Sequence, residues 1–490
     1  MKKLIYQTLP RLWGNLSERN GKFSNFDRPT LKYLRSLGVD YVWYTGVVRH
    51  ACTDDTPASI VKGDAGSPYA VTDWFDVNPY LADEPSRRME EFSALIKRTH
   101  DEGMGVIMDF IPNHVSRAYH SSFPGVRSLG DGDDSSVHWR EENDFYYYPG
   151  ETLRLPVPSL DYSEFPAKAS GNAFTPNPSL GDWYETIRLN YCPWHTETWD
   201  KMYGVVRFWA LKGVDGFRCD MVEMVPPEFF KWLIARIKTE FPSIIFIAEV
   251  YETAKYSLYL DEVGFDLLYD KSGLYDTLRS ICSTGRGAEG ITRNWQMLSR
   301  LQGGMLNFLE NHDEQRVASD FFCGSAEGGY AALAVSLLWN NAPFMLYFGQ
   351  EIGERGMDNE PFSGVNGRTS IFDWWRVDSL CRLWGSIHGT APGLNNDENA
   401  VLERYKSILA LSKEPVFASG SCYDLCYMQG PDFDRDSLFA WLRYDDTDCR
   451  LIVANFSDES VTLDIDLPGG YPRQNGIGVG PRDYKVLKVL

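Results

Sequence analysis

Four short stretches of the chain place ionisable side chains where they can work together. DFIPNH at 109–114 carries Asp109, Asn113 and His114, and GFRCD at 216–220 carries Arg218 and Asp220. IAEV at 247–250 carries Glu249, and ENHD at 310–313 carries His312 and Asp313. Two carboxyl groups held close together can break an acetal bond, one attacking the carbon while the other gives a proton to the leaving oxygen. An Arg two residues before Asp220 would keep that carboxylate ionised, and the negative Asp220 would in turn raise the pKa of Glu249 so that it stays protonated. Asp313 would add negative charge opposite the developing cation, while His114 and His312 would hydrogen-bond hydroxyls of a bound ring. Taken singly, each carboxylate is as well explained as a helix cap or a solvated loop residue; four of them, each closing a different apolar run, are not.

The elements that must position these residues are short β-rich runs at 4–8, 41–45, 105–110, 214–219, 244–250, 265–270, 305–310 and 343–349. Helical spacing separates several of them, with Met89, Phe92, Leu95 and Ile96 on one segment and Trp199, Met202, Val206 and Trp209 on another. Eight buried strands alternating with helices predict an α/β fold, a (β/α)₈ barrel, whose reactive groups gather at the C-terminal strand ends. Residues 1–114 and 191–414 are assigned to the barrel. Residues 115–190, rich in Gly, Pro, Ser and aromatics, form an inserted subdomain after the third strand, and 415–490, with alternating strands and turn residues, a C-terminal β-sandwich domain.

Composition narrows the partners. Acidic residues outnumber basic ones 68 to 48, a formal charge of -20, which repels a phosphate backbone and argues against nucleic acid. A neutral sugar is indifferent to that charge, and 15 Trp and 27 Tyr supply flat faces, though most serve core packing. No apolar run is long enough to span a bilayer. The opening MKKLIYQTLPRLWG is interrupted by Gln7, Thr8 and Pro10 and does not read as a secretion signal, so a cytoplasmic protein is expected, although a chain trimmed of its signal would look the same. A monomer is expected. The nine cysteines are scattered without metal-ligand spacing and are read as mostly free thiols.

The four stretches, in this order, resemble the signature regions of the α-amylase family, glycoside hydrolase family 13. SPYAVTDWFDVNP at 67–79, DWYETIRLNY at 182–191 and YFGQEIG after the eighth strand extend the resemblance over essentially the whole chain. It implies that Asp220 is the nucleophile, Glu249 the acid/base and Asp313 the transition-state stabiliser. It implies that Tyr69, His114, Arg218 and His312 surround the sugar in the cleavage subsite, Tyr69 by stacking, and that Asp109 supports the site. It also implies a structural Ca²⁺ at Asn113, with Asp131, Asp133, Asp134 or Asp161 as further oxygen donors; solvated loop charges are the alternative reading of those acids. Two positions depart from the family pattern: Glu223 and Met224 stand where starch-degrading members carry Lys and His, and Met221 is neither the small residue of α-1,4-cleaving members nor the Val of α-1,6-cleaving ones. The expected activity is retaining hydrolysis of α-glucosidic bonds, chiefly α-1,4, in starch or maltooligosaccharides. An α-glucanotransferase using the same intermediate and an inactive sugar-binding homologue are the alternatives.

Overall fold

In the computed structural model, which describes residues 2–14 and 19–489, eight parallel strands close into a barrel. They are β1 Leu4–Thr8, β2 Tyr41–Tyr44, β3 Gly105–Phe110, β4 Gly216–Cys219, β5 Ile245–Ala248, β6 Leu267–Tyr269, β7 Met305–Phe308 and β8 Phe344–Tyr347. Each falls inside one of the apolar runs. The strands pair in chain order, and β1 closes the ring by pairing with β2 through Ile5 and Tyr41 and with β8 through Leu4 and Phe344. Side chains that point inward fill the barrel and those that point outward meet helices, so both faces are buried and the strands read as continuous apolar runs.

The helices obey the same logic. Helix α1, Arg28–Ser36, begins at Asp27, whose carboxylate accepts the N–H of Thr30, with a proline in its first turn where no amide donor is needed. Helix α2, Arg88–Asp101, buries Phe92, Leu95, Ile96 and Thr99, and α3, Glu197–Leu211, buries Trp199, Met202, Val206 and Trp209 on one stripe. The Trp209 ring meets Phe92 edge to face at 5.8 Å, and its N–H donates to the carbonyl of Trp74 at 2.9 Å, so this indole is buried with its polar atom satisfied.

Residues 115–190 contribute little regular structure. Ser116 and the preceding two residues pair with Thr186–Arg188, and Tyr147–Tyr148 pairs with Ala167–Lys168. The rest is held by side chains bonded to backbone. Asp144, fully buried, accepts from Gly130 N at 2.7 Å and, across to α3, from Thr198 Oγ1 at 2.9 Å and Lys201 Nζ at 2.5 Å. Arg117 and Glu164 form a second buried pair at 2.7 Å within the excursion.

The C-terminal segment forms an antiparallel sheet of β9 Ser421–Asp424, β10 Leu438–Tyr444, β11 Cys449–Asn455 and β12 Tyr484–Lys488, beside a ladder of Val461–Ile465 with Gln474–Val479. Phe439 and Trp441 pack on Trp339 of the barrel at 5.0 and 6.0 Å. The buried Arg443 guanidinium donates to carbonyls of Trp339, Val416, Phe417 and Gly420, which ties the sheet to the barrel without a carboxylate. Among the described residues no helix is long and apolar enough to cross a membrane.

Lys201→Met would leave the Asp144 carboxylate buried without its cation. The loss expected is about 3–5 kcal/mol in urea unfolding. A loss below about 1 kcal/mol would mean that Gly130 and Thr198 satisfy Asp144 by themselves.

Candidate active site

The barrel brings the sequence-predicted residues to one mouth. Asp109 lies in β3 and Arg218 in β4, directly paired in the parallel register, while Asp220 follows β4, Glu249 follows β5 and Asp313 lies in the turn after β7. Arg218 is their centre. Its fully buried guanidinium is ringed by Trp43, Tyr69 and Tyr269 at 5.7, 5.5 and 5.5 Å from the ring centroids. Nη1 donates to Asp220 Oδ1 at 2.5 Å, Nη2 lies 3.0 Å from Glu249 Oε2, and Asp109 Oδ1 is 4.0 Å away. Burial works against the charge of Arg218, but Glu249, then Tyr269, Tyr69 and Asp220, outweigh it and hold the group cationic.

The sequence reading placed the raised carboxyl on Glu249. In the structure two of its neighbours are pushed up. Burial, against the opposing pull of Arg218, pushes Asp220 well up, and the charges of Glu249 and Asp313 add to it. Asp313, with 45% of its side chain exposed to the cleft, is pushed up by desolvation and then by Glu249. Donors gather around Glu249: the Met221 N–H reaches Oε2 at 2.9 Å and the Tyr251 hydroxyl reaches Oε1 at 2.6 Å. The charges of Asp220, Glu249 and Asp313 act on one another, so their protons belong to the cluster rather than to one member.

Met221 makes its contact through backbone. It adopts a left-handed conformation, φ 45° and ψ 45°, unusual for a residue with a side chain, and this lets its amide meet Glu249 across the strand gap. The rest of the mouth is a relay. The Gln7 amide donates to His312 Nδ1 at 2.7 Å, so the other ring nitrogen carries the proton; that Nε2 lies 2.5 Å from the Tyr69 hydroxyl and 3.1 Å from Asp313 Oδ2. Tyr69 donates onward to Asp109 Oδ1 at 3.3 Å, and Trp43 Nε1 donates to Oδ2 at 3.1 Å. Burial and then Arg218 push His312 well down, so it is a neutral donor. Tyr69 stacks on His312 at 5.2 Å. His114, pushed down to about 3 by burial and then Arg188, packs against Trp183 at 5.0 Å.

The cleft above these groups has a volume of about 390 Å³ and is also lined by Lys62, Trp183, Glu185, Tyr251 and Phe372. The sequence reading did not name these as site residues, nor Gln7, Trp43 or Tyr269. Gln7 and Trp43 sit near strand ends, where the rule applied to the carboxylates would have found them. Trp183 and Glu185 fall inside DWYETIRLNY, but only the folded excursion shows which of its side chains face the cleft. Lys62 is paired with Glu185 at 3.2 Å.

The acids considered for a cation are engaged elsewhere. Asn113 Nδ2 donates to Gly171 O at 2.9 Å. Asp133 accepts the N–H groups of Asp144 and Phe145 and the hydroxyl of Tyr147, Asp134 pairs with Arg140, Asp131 accepts from Ser128 N, and Asp161 from Ser59 N. Among the described residues no three His, Cys, Asp or Glu side chains converge as a metal site. In this arrangement the donor set does not fit a calcium ion, which needs 6–8 oxygens, roughly, around one point.

A barrel with three convergent carboxyl groups around a buried Arg defines an enzyme of the glycosidase class. The chain belongs to the α-amylase family: residues 28–382 match the family described as the α-amylase catalytic domain. It is similar to α-amylase MalA of Haloarcula japonica, 26% identical over 91% of this chain and 54% of that protein, so it spans about half of that relative's length. It is similar to α-amylase 3 of Dictyoglomus thermophilum, 24% identical over 94% of this chain and 87% of that one. The crystal structure of a noncanonic maltogenic α-amylase AmyB from Thermotoga neapolitana shares the fold, with a TM-score of 0.66 and 20% identity over 99% of this chain and 96% of that one.

Asp109 supplies a pH test. Burial, against Arg218, raises it from 3.8 to about 6, so the stability it confers is full below its unfolded value and is lost as the pH rises through 6. Asp109→Asn removes that loss. Its unfolding free energy, measured in urea at pH 4 and pH 8, should improve relative to wild type by about 1–3 kcal/mol between the two.

Proposed function

We propose that the protein is a retaining glycoside hydrolase that cleaves α-glucosidic bonds, chiefly α-1,4, in maltooligosaccharides or starch. The observation that carries this is the single Arg218 guanidinium that bridges Asp220 and Glu249. A bridged pair favours the ~5–5.5 Å spacing of a retaining enzyme over the ~6.5–9.5 Å that an inverting enzyme leaves for water. Relatives described as α-amylases support the substrate class.

In this reading Asp220 attacks the anomeric carbon while Glu249 gives its proton to the departing oxygen. The C–O bond breaks as the Asp220 ester forms; a water molecule, losing its proton to Glu249, then releases the sugar with its original configuration. Asp313 faces the positive charge that develops in both steps, and the neutral His312 Nε2–H and His114 orient hydroxyls. Interception by a second sugar would make longer products from the same intermediate. Calcium enters no step.

With maltoheptaose, wild type should release shorter α-anomeric products by proton NMR, and Asp220→Asn and Glu249→Gln should each lower kcat by about 10³-fold or more. Products longer than the substrate would assign the transferase. No turnover of maltoheptaose or other α-glucosides would remove the enzymatic reading. Saturating EGTA should leave the unfolding midpoint within about 1 °C of that in excess calcium; a rise of several degrees with calcium would restore the ion.

A further inference from the structure

Glu223, one of the positions that departs from the family pattern, is committed to a contact within the protein. Strand β5 ends at Ala248, and the chain then runs through Glu249 to Glu252 without regular structure before a short turn at Thr253–Lys255. The carboxylate of Glu223, from the turn after β4, accepts the N–H of Tyr251 at 2.8 Å, and both its oxygens lie 3.4 Å from the N–H of Glu252. Lys255 Nζ stands 3.5 Å from the same carboxylate. Thus anchored, Tyr251 folds its side chain back so that the hydroxyl reaches Glu249 Oε1 at 2.6 Å.

The two oxygens of Glu249 are therefore distinct. Oε2 faces the Met221 amide at 2.9 Å and Arg218 at 3.0 Å, so a proton carried by Glu249 resides on Oε1, the oxygen that Tyr251 holds. We propose that Tyr251, anchored by Glu223, is a positioning residue that aims Glu249 Oε1 at the leaving-group oxygen; the proposal rests on the glycosidase reading above. The phenol keeps its proton throughout. It donates to Oε1 when Glu249 is a carboxylate and accepts from Oε1–H when Glu249 is an acid. The glycosidic oxygen then takes that proton as its bond to carbon breaks, and Tyr251, 38% exposed, has room to yield to the arriving sugar. Burial, then the charges of Glu249 and Asp313, raise the phenol far above its ordinary value, so it does not ionise. The charged or titratable groups facing Glu249 are Arg218 in β4, Asp220 after it, Tyr269 in β6 and Asp313 after β7, besides Tyr251 itself.

The test compares two α-maltosides that differ only in leaving group. Phenol departs slowly unless protonated, whereas 2,4-dinitrophenolate departs without a proton. Tyr251→Phe should lower kcat/KM for the phenyl substrate by about 10–50-fold while changing the dinitrophenyl substrate by less than about 3-fold. Because the phenol favours the charged carboxylate, its loss should also move the basic limb of the phenyl profile to higher pH. Glu223→Ala should show the same selective loss, Glu223→Gln, which keeps an acceptor oxygen for Tyr251 N–H, should recover most of the activity, and Tyr251→Phe with Glu223→Ala should be no worse than Tyr251→Phe. Equal loss on both substrates, or no loss on the phenyl one, would overturn the proposal. Wild type inactive on both would overturn the glycosidase reading itself, and the proposal with it.

Discussion

A charged guanidinium buried at the mouth of the barrel is the constraint on which the site depends. Removing such a group from water costs several kcal/mol, and the protein offsets this with neighbouring carboxylates and a collar of three aromatic rings. Burial alone would protonate Asp220, so the charge of Arg218 and the ionisation of Asp220 depend on one another. Trp43 and Tyr69 serve twice, each presenting a ring to Arg218 and a hydrogen bond to Asp109.

Much of this was legible before folding was considered. The barrel strands lie within apolar runs that needed no tertiary information, because strands buried on both faces must be apolar throughout. Asp220, Glu249 and Asp313 stood out because each closes such a run with a residue that burial disfavours. What was not legible lies in irregular backbone. Tyr251 looks like any surface aromatic until Glu223 fixes the loop beneath it, and only folding shows that a backbone amide and a phenol reach Glu249.

The three parts of the chain are joined by different devices. The C-terminal sheet meets the barrel through packed aromatics, through Arg443 bonded to neutral carbonyls, and through ion pairs such as Arg404 with Asp483 at its edge. The excursion meets α3 through Lys201 and Asp144, a single buried charge pair with directional demands. The buried pair fixes one geometry between the excursion and α3.

Met221 has a consequence for how such chains diverge. Its contribution to Glu249 is a main-chain amide in a left-handed turn, and no change of side chain removes that donor unless proline is introduced. That donor is therefore indifferent to the side chain, while the torsion angles are not. Conformation limits drift at this position: unbranched residues and glycine are accessible, and β-branched ones such as Val meet a steric barrier in this backbone geometry. A β-branched replacement at 221 would first have to unwind the turn, and with it withdraw the amide that meets Glu249.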